Sequence, residues 1–450
     1  MVYRVLILVA WFFITSPYFA WASSATSKQD NHELPQSTLK SFLERIQSQW
    51  GGHLKVIGTA SWPGEESFFH LVDTGSYYDG DVDFRLKNKL YFSSGSYLDT
   101  HYELIFSFGD TIRNLSLLET QYPDFINWEL IPGLKFNDNR RLMDLTGVIA
   151  EGNDYILYHR LDRLSLTLQP DWGLLRIGRQ AITWGNGFIF NPMDLLNPFS
   201  PTDVNRDYKV GEDMVVAQWP LESYGDFQIL YVPRRNPLNS ELEWDYSSLA
   251  GKFHFSRGIT EYDIMAAKHY EDFVIGSGSA GYIEDAAWRL DTTWTFLHSD
   301  PEREGFLSIE ANLDYAWIWW GNNMYGFIEF FFNGLGTDDY SEALMNKAVI
   351  ERIIRGELFT LGRYYLSGEV QVEIHPLVKL YLSSINNIAD PSGIIQPRIS
   401  WDALQNMQLI IGGNIYWGGS YTEFGGYRIP ATNLLFESPD SVYAWITYFF

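Results

Sequence analysis

Residues 307–319 carry an apolar residue at every second position. Leu307, Ile309, Ala311, Leu313, Tyr315, Trp317 and Trp319 occupy one parity, and Ser308, Glu310, Asn312 and Asp314 occupy the other. Successive side chains of a strand point to opposite faces, so this period gives one apolar face and one polar face. Strands of water-soluble domains run to about 5–6 residues, whereas a tilted strand needs about 9–11 to cross a bilayer. The length therefore points to a membrane-crossing strand.

The same period recurs from about Gly75 to the end of the sequence. Val82, Phe84, Leu86, Leu90 and Phe92 alternate with Asp81, Asp83, Arg85, Lys87 and Lys89, and Leu164, Leu166 and Leu168 with Arg163, Ser165 and Thr167. Tyr102 to Phe108, Leu290 to Phe296, Val370 to Ile374 and Met407 to Trp417 continue it. Turn signals separate the runs at Asn333-Gly334-Leu335-Gly336, Asp390-Pro391-Ser392-Gly393 and Gly418-Gly419-Ser420. The repeating unit is a hairpin. The expected fold is all-β, a transmembrane antiparallel up-and-down barrel of about 16 strands, within a range of about 14 to 18.

The first residues set the compartment. Arg4 precedes an apolar run from Val5 to Ile14, and Ala20-Trp21-Ala22 offers a small-x-small cleavage site, the pattern of a signal peptide over 1–22. Ten apolar residues are half of the roughly 20 that a spanning helix needs. Aromatic residues make up 17% of the chain while mean hydropathy stays at -0.16. A barrel reconciles the two, because lipid-facing and lumen-facing residues cancel in the average and aromatic girdles mark both interfaces.

The net charge of -24 becomes -25 once Arg4, the one charged residue of 1–22, is removed. Such a chain repels nucleic acid. The acidity fits either solvated loops or a cation-biased lumen. With no Cys, disulfides, thiolate catalysis and Cys-ligated metals are excluded.

Residues 23–36 read as a polar lead. An amphipathic helix is expected next, with Leu39, Phe42, Leu43, Ile46 and Trp50 on one face and Gly51-Gly52 as its stop. It would lie at the periplasmic mouth or plug it. The expected organisation is thus a signal peptide at 1–22, a lead and helix at 23–66, and a barrel at 67–450.

At the other end Val442, Ala444, Ile446, Tyr448 and Phe450 alternate. This ending resembles the insertion signal of outer-membrane barrels, with Tyr448 and Phe450 as its key residues, which implies the insertion machinery and outer-membrane lipid as partners. Tyr443, Trp445 and Phe449 make the companion face apolar too, so that face should pack against a helix or a folded-in loop.

The densest anomaly lies between Arg163 and Gly211. Arg176-Ile177-Gly178-Arg179-Gln180 runs into Trp184-Gly185-Asn186-Gly187 and then a segment with Pro192, Pro198 and Pro201. Prolines exclude a regular strand, yet Phe188, Ile189, Phe190, Met193, Leu195, Leu196 and Phe199 are too apolar for a solvated loop. The segment is expected to fold into the barrel and narrow the lumen. Candidate lumen or constriction residues are Arg176, Arg179, Gln180, Trp184, Asp194, Asp203, Arg206, Asp207 and Lys209. Asp162-Arg163-Leu164, Gly178-Arg179-Gln180, Trp184-Gly185, Asn191-Pro192-x-Asp194 and Pro198-x-x-Pro201 resemble porin-like outer-membrane barrels of the alginate-exporter and related uncharacterised type. That resemblance implies passive passage of an anionic polysaccharide through a basic lumen.

Arg176, Arg179, Arg289, Arg363 and Arg398 fall in expected strands, either as an anion ladder or paired with wall carboxylates such as Glu310, Asp314 and Glu373. No G-x-S-x-G elbow, metal-binding His spacing or G-K-S/T phosphate cradle occurs, and Gly276-Ser277-Gly278-Ser279 reads as a turn. The expectation is a non-enzymatic, cofactor-free channel for small or polymeric polar solutes. The alternative is a non-conducting barrel serving as a structural, assembly or anchoring component of a surface polymer or partner complex.

Overall fold

The computed structural model describes residues 46–450 apart from 74, 94, 123–136, 197, 199, 202–207, 222–224, 299–302 and 430–433. The strands are β1 (Gln47–Trp62), β2 (Tyr77–Ser93), β3 (Ser96–Gly109), β4 (Thr146–Glu151), β5 (Tyr155–Leu168), β6 (Leu174–Gln180) and β7 (Glu212–Leu221). They continue with β8 (Gly225–Val232), β9 (Ser248–Arg257), β10 (Thr260–His269), β11 (Asp272–Ile283), β12 (Ala286–Phe296), β13 (Gly305–Trp319) and β14 (Asn322–Asn333). The last are β15 (Tyr364–His375), β16 (Val378–Asn387), β17 (Ser392–Leu404), β18 (Met407–Trp417), the short pair β19 (Tyr427–Arg428) and β20 (Leu435–Phe436), and β21 (Asp440–Phe449).

Each strand pairs antiparallel with its neighbours, and β21 pairs with both β18 and β1, so the sheet closes on itself. Closure leaves the wall without an edge, the condition for crossing hydrocarbon as strands. Eighteen of the nineteen strands in the sheet form the wall, at the top of the expected range rather than at 16. The remaining strand, β4, pairs with residues 156–160 of β5, above the short β6, which pairs with 164–168.

Two-residue turns join β9 to β10, β11 to β12, β13 to β14, β15 to β16 and β17 to β18, at the end of the barrel that carries Phe450. The long connections lie at the opposite end, as in outer-membrane barrels with short periplasmic turns and longer outer loops. One of them carries α1 (Asp110–Gln121), and another carries α2 (Tyr340–Ala343) and α3 (Lys347–Arg355). Asn346 caps α3 by accepting from the Ala348 and Val349 amides, and Gly356, at φ 70°, ends it in the left-handed region.

Parity assigns the two faces. Leu54, Val56, Leu290, Trp294, Leu313, Tyr315, Ile399, Ile411, Val442 and Ile446 are exposed on the outside, while their sequence neighbours His53, Lys55, Asp291, Asn312, Tyr443 and Trp445 are buried inside. An apolar belt of this extent belongs in lipid, and the barrel is a protein of the bacterial outer membrane.

Two sequence expectations are corrected. Residues 47–50, expected to end a helix, are the start of β1, and Gly51-Gly52 lies within that strand. The barrel therefore begins at Gln47 and not at 67. The alternation of Leu54, Val56 and Trp62 with His53, Lys55 and Ser61 is completed by partners on both sides, β2 and β21, and pairing on two edges outweighs a short helical periodicity. Leu39 to Arg45 and the leader at 1–22 lie outside the described residues. Second, the stretch 276–279 is no turn but the middle of β11. A Cβ at Gly278 would stand 2.6 Å from Asp291 Oδ1 and 3.2 Å from the Met193 sulfur, so glycine there admits the chain that packs inside.

Candidate functional site

The inner wall has a sector of paired opposite charges on β1, β2, β3 and β5. Arg85 is at its centre, donating to Glu103, to Asp162 Oδ2 at 2.6 Å and to His101 Nδ1 at 2.9 Å. Arg160 pairs with the same Glu103, and Arg163 donates to Asp162 Oδ2 at 2.6 Å and to the Lys209 carbonyl at 2.7 Å. A register shift between β3 and β5 beside Asp162 interrupts the alternation there, so the adjacent residues Asp162 and Arg163 join one network. Tyr208 lies over this sector. Its ring receives Arg85 at 4.4 Å and Lys87 at 4.2 Å, its hydroxyl accepts from Lys87 Nζ at 2.8 Å, and His53 stacks on it at 6.0 Å.

A second sector is acidic. Asp263, Gly278, Asp291 and Glu310 share one register row across β10 to β13, and Glu329 on β14 is directly opposite Asn312. The Pro-rich connection between β6 and β7 supplies donors to two of these carboxylates, Asp291 and Glu329. Asn186 donates its backbone N–H to Asp291 Oδ2 at 2.6 Å and its Nδ2 to Asp291 Oδ1 at 2.8 Å. Glu329 accepts three successive backbone amides: Phe188 at 2.7 Å, Ile189 at 3.2 Å and Phe190 at 2.7 Å.

The apolar residues of the connection have a matching floor. Trp184, Met193 and Leu196 pack with Met214, Val216, Leu230, Val232, Ala250, Met265, Ala267 and Val274, which line the inside of β7 to β11. Phe190 stacks on Phe331 at 4.5 Å and lies beside Tyr365, Ile385 and Ile394. The prolines prevent a strand, and burial of these side chains at about 25 cal/mol per Å² favours the docked path.

The candidate residues separate into distinct settings. Trp184 donates to Gln228 Oε1 at 3.0 Å, and Asp194 pairs with Lys209, whose ammonium also donates to the Ile182 carbonyl at 2.9 Å. Burial pushes the Asp194 carboxyl up to about 6 in spite of Lys209. Burial likewise lowers the Lys209 ammonium, although Asp194 opposes that shift. Arg179 holds Asp213 Oδ1 at 2.8 Å, Asp138 Oδ2 at 2.9 Å and the Met143 carbonyl at 2.6 Å, which is a clasp between strands and a connection. Burial works against the Asp138 charge, and Arg179 with Arg141 more than offsets it, holding that carboxyl below its ordinary range.

Arg176 donates to the Thr167 hydroxyl at 3.1 Å, and Gln180 donates to the Met214 carbonyl at 3.2 Å. Arg289 is matched by Asp314 at 2.5 Å and Arg398 by Glu369 at 3.6 Å, while Arg363 donates to the Gly336 carbonyl at 2.7 Å. Asp203, Arg206 and Asp207 lie outside the described residues. At the closing strand, Tyr448 is on the lipid-facing row. Tyr443 and Trp445 stack inside at 5.1 Å, with Lys55 Nζ 4.5 Å from the Trp445 ring.

Sequence reasoning marked Asp162 only as part of the Asp162-Arg163-Leu164 motif and did not single out Asp291, Glu329, Glu103, Asp138 and Asp213. For those in strands the one signal is a carboxylate at inward parity, which does not say which strand faces the returning segment, and Asp138, in the connection before β4, lacks even that. The pair His269 Nε2 and Glu357 Oε1, 3.0 Å apart, was equally unmarked. Burial disfavours the Glu357 charge, but His269, Arg355 and Arg352 overcome it and hold the carboxyl down at about 2.

A closed outer-membrane barrel with charged sectors inside and an apolar, carboxylate-anchored segment along its inner wall is porin-like in architecture. No family model matches the sequence, and no curated protein matches it. Among solved structures, OccK5 (OpdH) of Pseudomonas aeruginosa is similar with a TM-score of 0.51 at 9% identity, covering 91% of this chain and 98% of that one. A BenF-like porin from Pseudomonas fluorescens Pf-5 has a TM-score of 0.49 at 10% identity, covering 91% and 99%. OccAB3 of Acinetobacter baumannii has a TM-score of 0.49 at 9% identity, covering 90% and 99%. The first likeness supports a porin-like fold, and none of the three supports the alginate-exporter type.

Proposed function

We propose that this barrel is a channel for passive passage of small polar solutes across the outer membrane, in which the segment 188–201 narrows the lumen. The observation that carries this reading is the anchoring of Asn186, Phe188, Ile189 and Phe190 on Asp291 and Glu329. These carboxylates are on β12 and β14, far around the wall from β6 and β7, where the segment begins and ends. A chain held at both places runs through the interior. The charged groups beside it are largely matched within the protein, which favours solvation of polar solutes over tight capture of one ion.

Single-channel recording in planar bilayers tests the proposal. The full chain should conduct, and deletion of 188–196 should raise conductance and admit larger solutes. Unchanged conductance in the deletion would place the segment off the path. A barrel that inserts and never conducts would favour the structural or anchoring alternative.

A further inference from the structure

Between the Pro-rich segment and the connection from β14 to β15 lies a cavity of about 120 Å³. A single water needs only about 10–15 Å³ by this measure, so there is room for a small solute. We infer that this cavity is a binding site for an uncharged polyhydroxylated solute of monosaccharide size or smaller. The inference rests on the channel reading for its role in transport, but not for binding itself.

The lining contains five charged or titratable groups, Asp194, His269, Asp272, Arg352 and Glu357. Each is already matched inside the chain: Asp194 by Lys209, Asp272 by Arg352, and His269 by Glu357. An ionic solute would have to break one of these pairs or bring a charge with no counter-charge into a partly dry site, and both cost free energy. The uncharged polar groups are differently placed. Thr293 and Ser308 are directly opposite on β12 and β13, Thr295 is two residues along on the same face, and all three line the cavity. Asn191 also lines it, and its buried Oδ1 accepts no hydrogen bond from the described residues.

The lining also contains aromatic residues. Phe190, stacked on Phe331 at 4.5 Å, and Phe306, beneath the Arg352 guanidinium at 5.1 Å and paired in register with Thr295, supply apolar ring surface to it. A sugar or polyol has the complementary form, with hydroxyls that exchange hydrogen bonds in both directions and C–H faces that pack on rings. Hydroxyl and amide groups can serve either partner of each bond, so the site offers both donors and acceptors without a net charge.

Calorimetric titration of the full detergent-solubilised chain with D-glucose, D-glucuronate and D-glucosamine isolates charge at constant ring size. Glucose should bind about tenfold or more tighter than either charged analogue. Ser308→Ala and Thr293→Val should each weaken it by about 2- to 10-fold. Asn191→Asp should reverse the preference toward glucosamine. Heat-modifiable mobility in detergent gels checks that each variant is folded. Equal or tighter binding of a charged analogue, or glucose binding indifferent to both hydroxyl variants, would overturn the assignment. Conductance is read separately: a protein that binds glucose and never conducts keeps the site and loses the channel, and one that conducts without binding glucose loses the site alone.

Discussion

Gly52 and Phe450 exchange two backbone hydrogen bonds, Gly52 N–H to the Phe450 carbonyl at 2.9 Å and Phe450 N–H to the Gly52 carbonyl at 3.1 Å. The Phe450 ring lies against Gly52 and stacks on Phe84 at 6.0 Å. A Cβ at Gly52 would be 2.2 Å from the Arg85 carbonyl oxygen and 2.6 Å from Phe450 Cζ. The seam that closes the barrel therefore has one position where only hydrogen fits.

Gly52→Val should weaken that seam. Overpacking typically costs about 1–3 kcal/mol, so the urea midpoint of the refolded barrel should fall and less protein should run as the folded form in unheated gels. An unaltered midpoint would show that Phe450 moves aside without loss.

Glu329→Ala removes the acceptor of three successive amides, of which that of Phe190 is buried. An unsatisfied buried group costs about 1–3 kcal/mol, which weakens the hold of β14 on the segment. Proteolytic cleavage near residues 188–190 should appear and conductance should rise. Glu329→Gln keeps one acceptor oxygen and should fall between the two.

Much of the barrel was legible because a period of 2 sustained over long runs fits a strand and little else. Leu307 to Trp319 and Val442 to Phe450 show it most plainly, and the inward and outward rows of β21 are those the alternation assigns. The strand number was less legible, since β6 spans only seven residues and β1 carries a competing helical spacing before His53. The stretch 276–279 has turn composition, and the approach of Asp291, Asn186 and Met193 accounts for glycine at 278 within a strand. The interior partners were hidden for a related reason. Arg179 and Asp194 stood out by their neighbours in sequence, but what they touch comes from strands and loops far along the chain.

Arg179→Met tests the clasp. Arg179 serves both Asp213 and Asp138 in a buried site, and removing one partner of a buried ion pair costs about 3–5 kcal/mol because the remaining charge is left without compensation. The urea midpoint should fall more than for Arg176→Met, whose guanidinium donates to a neutral hydroxyl. Equal shifts would show that Asp138 and Asp213 find new donors.

Two carboxyls displaced in opposite directions give the pH behaviour of the inner segment and of the outer loop. Asp194 has its carboxyl raised to about 6 by burial, against an ordinary value near 3.9. The fold therefore favours its protonated form. The corresponding stability is fully present below about pH 4 and is lost as pH rises through about 6. A displacement of that size corresponds to about 3 kcal/mol, enough to loosen a docked segment. Because the chain has no cysteine, a spin label on Phe188→Cys reports on this segment alone, and its mobility should increase from pH 4 to pH 7. Asp194→Asn should flatten that change. Glu357, held at about 2 by His269 and the two arginines, contributes stability that is present above about pH 4 and lost only as pH falls toward 2. A label on Met345→Cys, next to α3, should therefore be unchanged between pH 4 and pH 7. If both labels loosen together, the barrel as a whole is titrating and Asp194 is not the controlling group.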